Sequence, residues 1–269
     1  APRRLYAERC GGNPGTAHPV PPFPSLIMKR CLSVLLLSCT PTAVALAADA
    51  PPRVGPGRLA EALHRAAPGV DREVLAMATH AMACTLRRGD ADVPMRRLSV
   101  IDYSRPSTQP RLWVFDLEKA RLLFEERVAH GRNTGENLAT RFSNATGSYM
   151  SSLGAFVTQE AYRGSNGYSL RLQGLEPGFN DKARERAIVI HGAPYVSDAL
   201  VRSQGRLGRS LGCPAVSTAV ARPLIDSIRG GSFVFAYYPD PAWLKQSRLL
   251  SADCGSGVAA RPASSAAGR

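Results

Sequence analysis

A chain of 269 residues with 44% hydrophobic side chains has enough apolar surface to bury the core of one large or two small domains. Its 34 Lys and Arg against 21 Asp and Glu favour an anionic partner: nucleic acid, a membrane surface or an acidic polymer. The basic residues are scattered, and neither an aromatic-interleaved RNA motif nor zinc-finger Cys/His spacing occurs, so nucleic acid is set aside.

The first informative segment begins at Met28. Lys29 and Arg30 give a positive start, Cys31 to Ser38 an apolar stretch, and Ala45-Leu46-Ala47 a small-x-small cleavage pattern; together they predict a secretory signal over 28–47. Pro41 interrupts the stretch, which falls short of the ~20 residues a spanning helix needs, so no transmembrane anchor is expected. Residues 1–27, rich in Pro, Gly and Arg, then read as upstream sequence translated from too early a start. A competing reading takes Leu36-Leu37-Ser38-Cys39 as a lipobox with Cys39 lipidated, which the short apolar core and Leu37 disfavour. Loss of residues 1–47 leaves the remainder basic and places it in the periplasm or cell envelope. Of the cysteines, Cys84, Cys213 and Cys254 remain, and an odd count in an oxidising compartment implies one thiol that is free or paired between chains. Cys84 with Cys254 is one pairing that spacing alone does not decide.

Residues 48–96 read as a Pro/Gly-rich linker followed by packing helices. Leu59 and Leu63 mark a first short helix, Pro68-Gly69 breaks it, and Asp71 caps a second whose face carries Val74, Leu75, Ala78, Met82 and Leu86. His64 and His80 read as ordinary helix residues. From Arg97 the pattern turns to short β-type runs: Leu98–Tyr103, Leu112–Phe115, Leu122–Val128, Ala155–Ala161, Tyr168–Leu172, Ala187–Ile190 and Phe233–Tyr238. Asp116–Lys119 and Gly164–Gly167 are turn-rich joins that predict two hairpins. Val220, Leu224 and Ile228 predict a helix stopped by Gly230-Gly231. Residues 241–269 are expected to form a mobile C-terminal tail, with Gly, Ser and Ala dominating from 250 onward.

Chemistry concentrates between Ile188 and Val216. A His-Gly pair, His191-Gly192, ends a β-branched strand, and a Ser-Leu-Gly-Cys turn follows a polar, Gly-punctuated loop. A thiol attacks a carbonyl as its thiolate, and an imidazole can take its proton, so Cys213 and His191 form a candidate nucleophile and base. Gly212, without a Cβ, permits a sharp turn and lets a carbonyl approach the amides of Gly212 and Cys213, a candidate oxyanion hole. A lone Cys and His pair is also compatible with a buried thiol and an unrelated histidine.

The segment resembles the active-site signature of YkuD-like L,D-transpeptidases, in which a strand histidine precedes a Ser/Thr-His-Gly-Cys turn. His191 matches the strand histidine, and Ser210, Gly212 and Cys213 match the turn. Upstream, Ser151-Ser152-Leu153-Gly154-Ala155-Phe156 stands where the family has a Thr-Pro-x-Gly-x-Phe entry. The likeness spans about residues 97–240 and is similar to the murein L,D-transpeptidase catalytic-domain branch. Leu211 replaces the second His of the usual signature, Ala215 replaces an Asn, and the His-to-Cys interval is long, with a basic loop from Ser203 to Arg209.

The resemblance implies a mainly β catalytic domain with flanking short helices, and two-step acyl transfer on peptidoglycan stem peptides. Cys213 would form a thioester, which an amine of a neighbouring stem or water would release. It implies that the Gly192 carbonyl orients His191, that carbapenems acylate the thiol, and that no metal or organic cofactor takes part. Arg206 and Arg209 are candidates for stem carboxylates, and Ser210 is a further candidate for substrate binding. Tyr195 is a candidate cleft aromatic, and His130 either faces the same cleft or is an exposed strand-end residue. Asn144 reads as a turn residue. The rival activity is an L,D-carboxypeptidase with water as acceptor, and the rival class is a catalytically idle wall-binding module.

Overall fold

The computed structural model describes residues 55–91 and 95–254, and the described residues belong to one compact unit. The expected upstream stretch 1–27, the leader 28–47 with its Cys39 alternative, the start of the linker, and the tail from 255 onward lie outside the described residues. Among the described residues no helix is long and apolar enough to cross a membrane.

Two helices open the fold. Pro at the start suits the first helical turn of α1 (Pro56–Ala66), because its missing N–H would have had no intrahelical partner. Asp71 caps α2 (Arg72–Arg88), its carboxylate accepting from the amides of Glu73 (2.8 Å) and Val74 (3.1 Å), and Gly89 ends it in left-handed backbone. Val74, Leu75, Ala78, Ala81 and Met82 are buried as helical spacing dictates, but Leu86 is 47% exposed. The buried stripe runs through Ala81 and Thr85 instead, so the face turns away from Leu86 by the last turn.

Among the described residues, eight strands then form one sheet in the order β3-β2-β1-β8-β4-β5-β6-β7. They are β1 (Arg97–Asp102), β2 (Leu112–Asp116), β3 (Arg121–Glu126), β4 (Gly154–Gly164), β5 (Gly167–Gly174), β6 (Val189–Gly192), β7 (Ala215–Val216) and β8 (Phe233–Tyr237). β1 with β8 and β6 with β7 run parallel, and the other neighbours are antiparallel. β2 is buried throughout, so this strand is covered on both faces. The expected hairpins join β2 to β3 and β4 to β5.

Just beyond β3, at one edge, the chain reaches the opposite edge. Ala129 exchanges two backbone hydrogen bonds with Ala215 of β7 (2.8 and 3.3 Å), and Arg132 N–H donates to the Ser210 carbonyl (2.8 Å). The sheet is therefore curled on itself, barrel-like, with a seam between residues 129–132 and 210–215. Helix α3 (Asp198–Gln204) lies in the connection from β6 to β7. Helix α4 (Thr218–Ile228) buries Ala221, Leu224, Ile225 and Ile228.

The expectation of a mobile tail from 241 is corrected as far as 254. Helix α5 (Pro241–Gln246) buries Trp243 completely, and its indole N–H donates to Glu176 Oε2 (3.1 Å). Cys254 is buried and forms a disulfide with Cys84 of α2, Cα to Cα 5.2 Å. The apolar anchors are Trp243 and Leu249, too few and too widely spaced for a periodic pattern. Residues 55–91 likewise share their core with the sheet: Leu63, Leu75 and Ala78 pack in one cluster with Leu98, Phe235 and Trp243.

Candidate active site

β6 and β7 bring the two central side chains onto neighbouring parallel strands. His191 pairs in register with Ala215, and its N–H lies 3.4 Å from the Pro214 carbonyl, so Cys213 sits two residues before the position opposite His191. Both are nearly buried, His191 at 4% and Cys213 at 9% exposure. His191 Nδ1 lies 3.0 Å from the Gly192 carbonyl. A carbonyl only accepts, so Nδ1 carries the proton and Nε2 is the basic nitrogen, without a hydrogen bond among the described residues.

The thiol does not point at the imidazole. Its partners are the Val189 N–H (3.5 Å), which donates to Sγ, and the Ala187 carbonyl (3.7 Å). Burial raises the Cys213 thiol, against lowering by the Val189 N–H and the Arg186 charge. Burial also lowers His191, against a hydrogen bond to Gly192 that raises it. Both shifts run toward the neutral forms, a protonated thiol and an uncharged imidazole.

Close packing dictates the glycines here. Gly212 has φ +124, and a Cβ on it would stand 2.8 Å from the Met150 carbonyl. A Cβ on Gly131 would meet the Gly212 Cα at 2.9 Å. The turn is tied from both sides by serines. Ser210 Oγ donates to the Cys213 carbonyl (2.6 Å) and accepts from the Gly212 N–H (3.0 Å). Ser151 Oγ donates to the Gly212 carbonyl (3.0 Å) and accepts from the Gly131 N–H (3.0 Å).

Several expected roles change as a result. Ser210, a candidate for substrate binding, is a buried turn-former whose hydroxyl is engaged within the turn. The Gly212 N–H, expected to be one of two oxyanion donors, is taken by that hydroxyl, whereas the Cys213 N–H is unpartnered among the described residues. His130 is neither exposed nor open to a cleft. It is 1% exposed, its Nδ1 accepts from Arg111 Nη2 (2.8 Å), and its Nε2–H donates to the Gly135 carbonyl (3.2 Å). Burial and the Arg111 charge bring its pKa down to about 4. Arg206 and Arg209 both pair with Glu136, at 2.9 and 2.6 Å. They therefore meet a ligand as an already part-neutralised cluster. Asn144 bridges Asp181 and the Lys182 N–H.

Tyr195 lies near enough to Cys213 to feel its charge. Its phenol is pushed up to about 12, by burial first and then by the neighbouring Cys213. A cavity of about 550 Å³ adjoins the seam, lined by Arg132, Glu136, Leu138, Arg141 and Arg209 among others, with Leu138 half exposed. Leu211, in the place of the signature's second His, is 59% exposed on the same turn. Cys213 is not part of this cavity's lining.

Two further arginines at the site carry no signal in the sequence. Arg111 is fully buried, donating to the Val128 carbonyl (2.7 and 2.9 Å), the Arg105 carbonyl (2.9 Å) and His130, with Tyr103 under its guanidinium at 5.2 Å. Arg186 reaches the turn from the segment before β6. Charged residues read as solvated by default, and only β-type runs nearby could have flagged them. Away from the site, His80, Cys84 and Cys254 place ligand-type atoms within 4.8 Å of one another, but the two sulfurs are joined and offer no thiolate to a metal.

Residues 66–237 match the family described as L,D-transpeptidase catalytic domain. Comparison with curated proteins gave no match. Among solved structures the chain is similar to L,D-transpeptidase 1 from Mycobacterium tuberculosis, at 13% identity and TM-score 0.31, covering 53% of this chain and 62% of that one. It is similar to the helical cell shape determining protein Pgp2 from Campylobacter jejuni, at 14% identity and TM-score 0.37, over 60% and 56% of the two chains. It is also similar to an L,D-transpeptidase from Xylanimonas cellulosilytica, at 20% identity and TM-score 0.31, over 65% and 77%. The chain thus spans less than two thirds of the first two of these. Structural likeness at that level carries no weight beside the family match, which covers well over half of the sequence: the chain belongs to the L,D-transpeptidase catalytic-domain family.

Proposed function

We propose that this chain is a cysteine-dependent L,D-transpeptidase of the cell envelope that acts on peptidoglycan stem peptides through a Cys213 thioester, with His191 as base. The observation that carries this reading is the fixed tautomer of His191, whose Nδ1–H is held by the Gly192 carbonyl and whose basic nitrogen is left free on the strand next to Cys213. Cys213 is also the free cysteine among the described residues.

In the first step Cys213 rotates from the Val189 and Ala187 backbone toward the base and passes its proton to His191 Nε2. The sulfur attacks the carbonyl at an L-to-D junction, and charge gathers on that oxygen near the Cys213 N–H. Collapse expels the terminal D-residue, whose amine takes the proton from His191. The amine of a second stem then attacks the thioester, and His191 again receives and returns the proton. Carboxylates of the stem are drawn to the arginines around the 550 Å³ cavity. The segment 28–47 acts as the export signal in this reading.

Purified protein lacking residues 1–47, incubated with disaccharide-tetrapeptide and read by mass spectrometry, tests the proposal. A crosslinked dimer is expected, and it should vanish in Cys213→Ser. A shortened stem without dimer would make the enzyme a carboxypeptidase, and unchanged substrate would restore the idle binding module.

A further inference from the structure

Next to the nucleophile lies a cation without an anion. Arg186 is partly buried, and its guanidinium donates to four neutral oxygens. Nη1 reaches the Ser143 carbonyl (2.8 Å) and Ser152 Oγ (2.6 Å); Nη2 reaches the Met150 carbonyl (2.7 Å) and Ser148 Oγ (3.2 Å). Among the described residues no carboxylate stands within ion-pair distance of it. The same Nη2 is 3.4 Å from where a Cβ on Gly212 would be, so it abuts the residue before Cys213.

The backbone on both sides of this clamp is held in a disfavoured form. Ala187 (φ 52) and Tyr149 (φ 54) both adopt left-handed backbone without being glycine, a conformation that persists where the surroundings enforce it. Ala187 directs its carbonyl at the Cys213 sulfur, while its neighbour Arg186 extends toward the 143–152 loop. Tyr149 precedes the Met150 carbonyl that Arg186 holds. Two unfavourable turns therefore converge on one guanidinium and one thiol.

Removing a cation from water without a counter-charge is unfavourable, and the adjoining group able to become an anion is Cys213. Resting on the reading of Cys213 as nucleophile, we propose that Arg186 is a positioning residue of the site. Its fork ties the 143–152 loop beneath the nucleophile turn, and its charge is the one against which the thiolate forms. The electrostatics agree in direction: burial pulls the guanidinium down and Cys213 pulls it up, while Arg186 opposes the rise that burial imposes on the thiol. The other titratable groups around the sulfur are His191 on β6, Tyr103 at the end of β1 and Tyr195 after β6. Both phenols are pushed up to about 12 and stay neutral through the working range.

The test is the pH dependence of Cys213 alkylation by iodoacetamide, followed by intact mass on protein whose fold is checked by circular dichroism. Arg186→Gln should raise the alkylation midpoint by about one pH unit, roughly a tenfold loss of thiolate at pH 7. Arg186→Lys, which keeps the charge and loses the fork, should stay near the parental midpoint. Ser148→Asp leaves the guanidinium in place and gives it the carboxylate it lacks. It should raise the midpoint as well, so the test survives if Arg186→Gln does not fold. The proposal is overturned if neither Arg186→Gln nor Ser148→Asp moves the midpoint, or if Lys moves it as far as Gln. It also falls if Arg186→Gln leaves the midpoint alone and instead raises KM for the tetrapeptide, which would make the guanidinium a substrate anchor. Retained turnover in Cys213→Ser would be a different failure, that of the nucleophile assignment.

Discussion

At the scale of single residues, burial governs the titration of the site. Because burial lowers His191, the imidazole stays in its basic, neutral form to below its ordinary value of about 6.5. The acid limb of the pH profile for acylation by a carbapenem should therefore have its midpoint below 6.5, measurable by single-turnover mass shift. His191→Ala should slow that acylation by roughly 10²- to 10⁴-fold. Raising the pH should then recover part of the loss, because solvent can generate thiolate. His130 supplies a stability signal instead. Its folded pKa of about 4 lies below the unfolded value near 6.5, so between these values the unfolded chain binds a proton that the folded one does not. Stability should fall as pH drops from 6.5 to 4, by up to about 3 kcal/mol. Urea unfolding across that window checks this, and His130→Asn should flatten the slope. The sequence made His191, Gly192 and Cys213 legible because a short motif holds them. It hid Arg111, Arg186 and the burial of His130, because their neighbours are carbonyls from distant segments and composition records no such partner.

At the scale of elements, what was legible depended on length. The long strands and α2 show their period, whereas β7 has two residues and α3 has seven, none of them buried. Neither shows a pattern to read, although β7 carries the register that places Cys213 against β6. Helix α5 is hidden within the expected tail because its six residues are too few to show a periodicity. Its contribution should nonetheless be large. Trp243→Ala removes a fully buried side chain and the indole donor to Glu176 Oε2, leaving that carboxyl only its Oε1 bond to the Ala155 N–H among the bonds described, so a loss of about 3–5 kcal/mol is expected by urea titration. Asp71→Ala, which removes the carboxylate oxygen that accepts from two amides at the start of α2, should cost about 1 kcal/mol.

For the whole molecule, the disulfide and the seam divide the labour. The Cys84–Cys254 bond joins α2 to the segment after α5 across 170 residues, and Cys213, the free thiol among the described residues, lies apart from it in the turn before β7. Replacing both cysteines with alanine should lower stability by about 2–5 kcal/mol, seen as a fall in Tm, while the rate of Cys213 alkylation stays close to parental. The spacing left this pairing undecided because proximity depends on how α5 folds back. The seam has a different consequence. Its hydrogen bonds run from residues 129–132 to residues 210–215, so the line along which the wall closes passes through the turn that carries Cys213. A ligand that spanned both sides would latch the wall as it filled the site. Slowed hydrogen exchange at the amides of Ala129, Arg132, Ser210 and Ala215 would then report occupancy in the absence of any turnover.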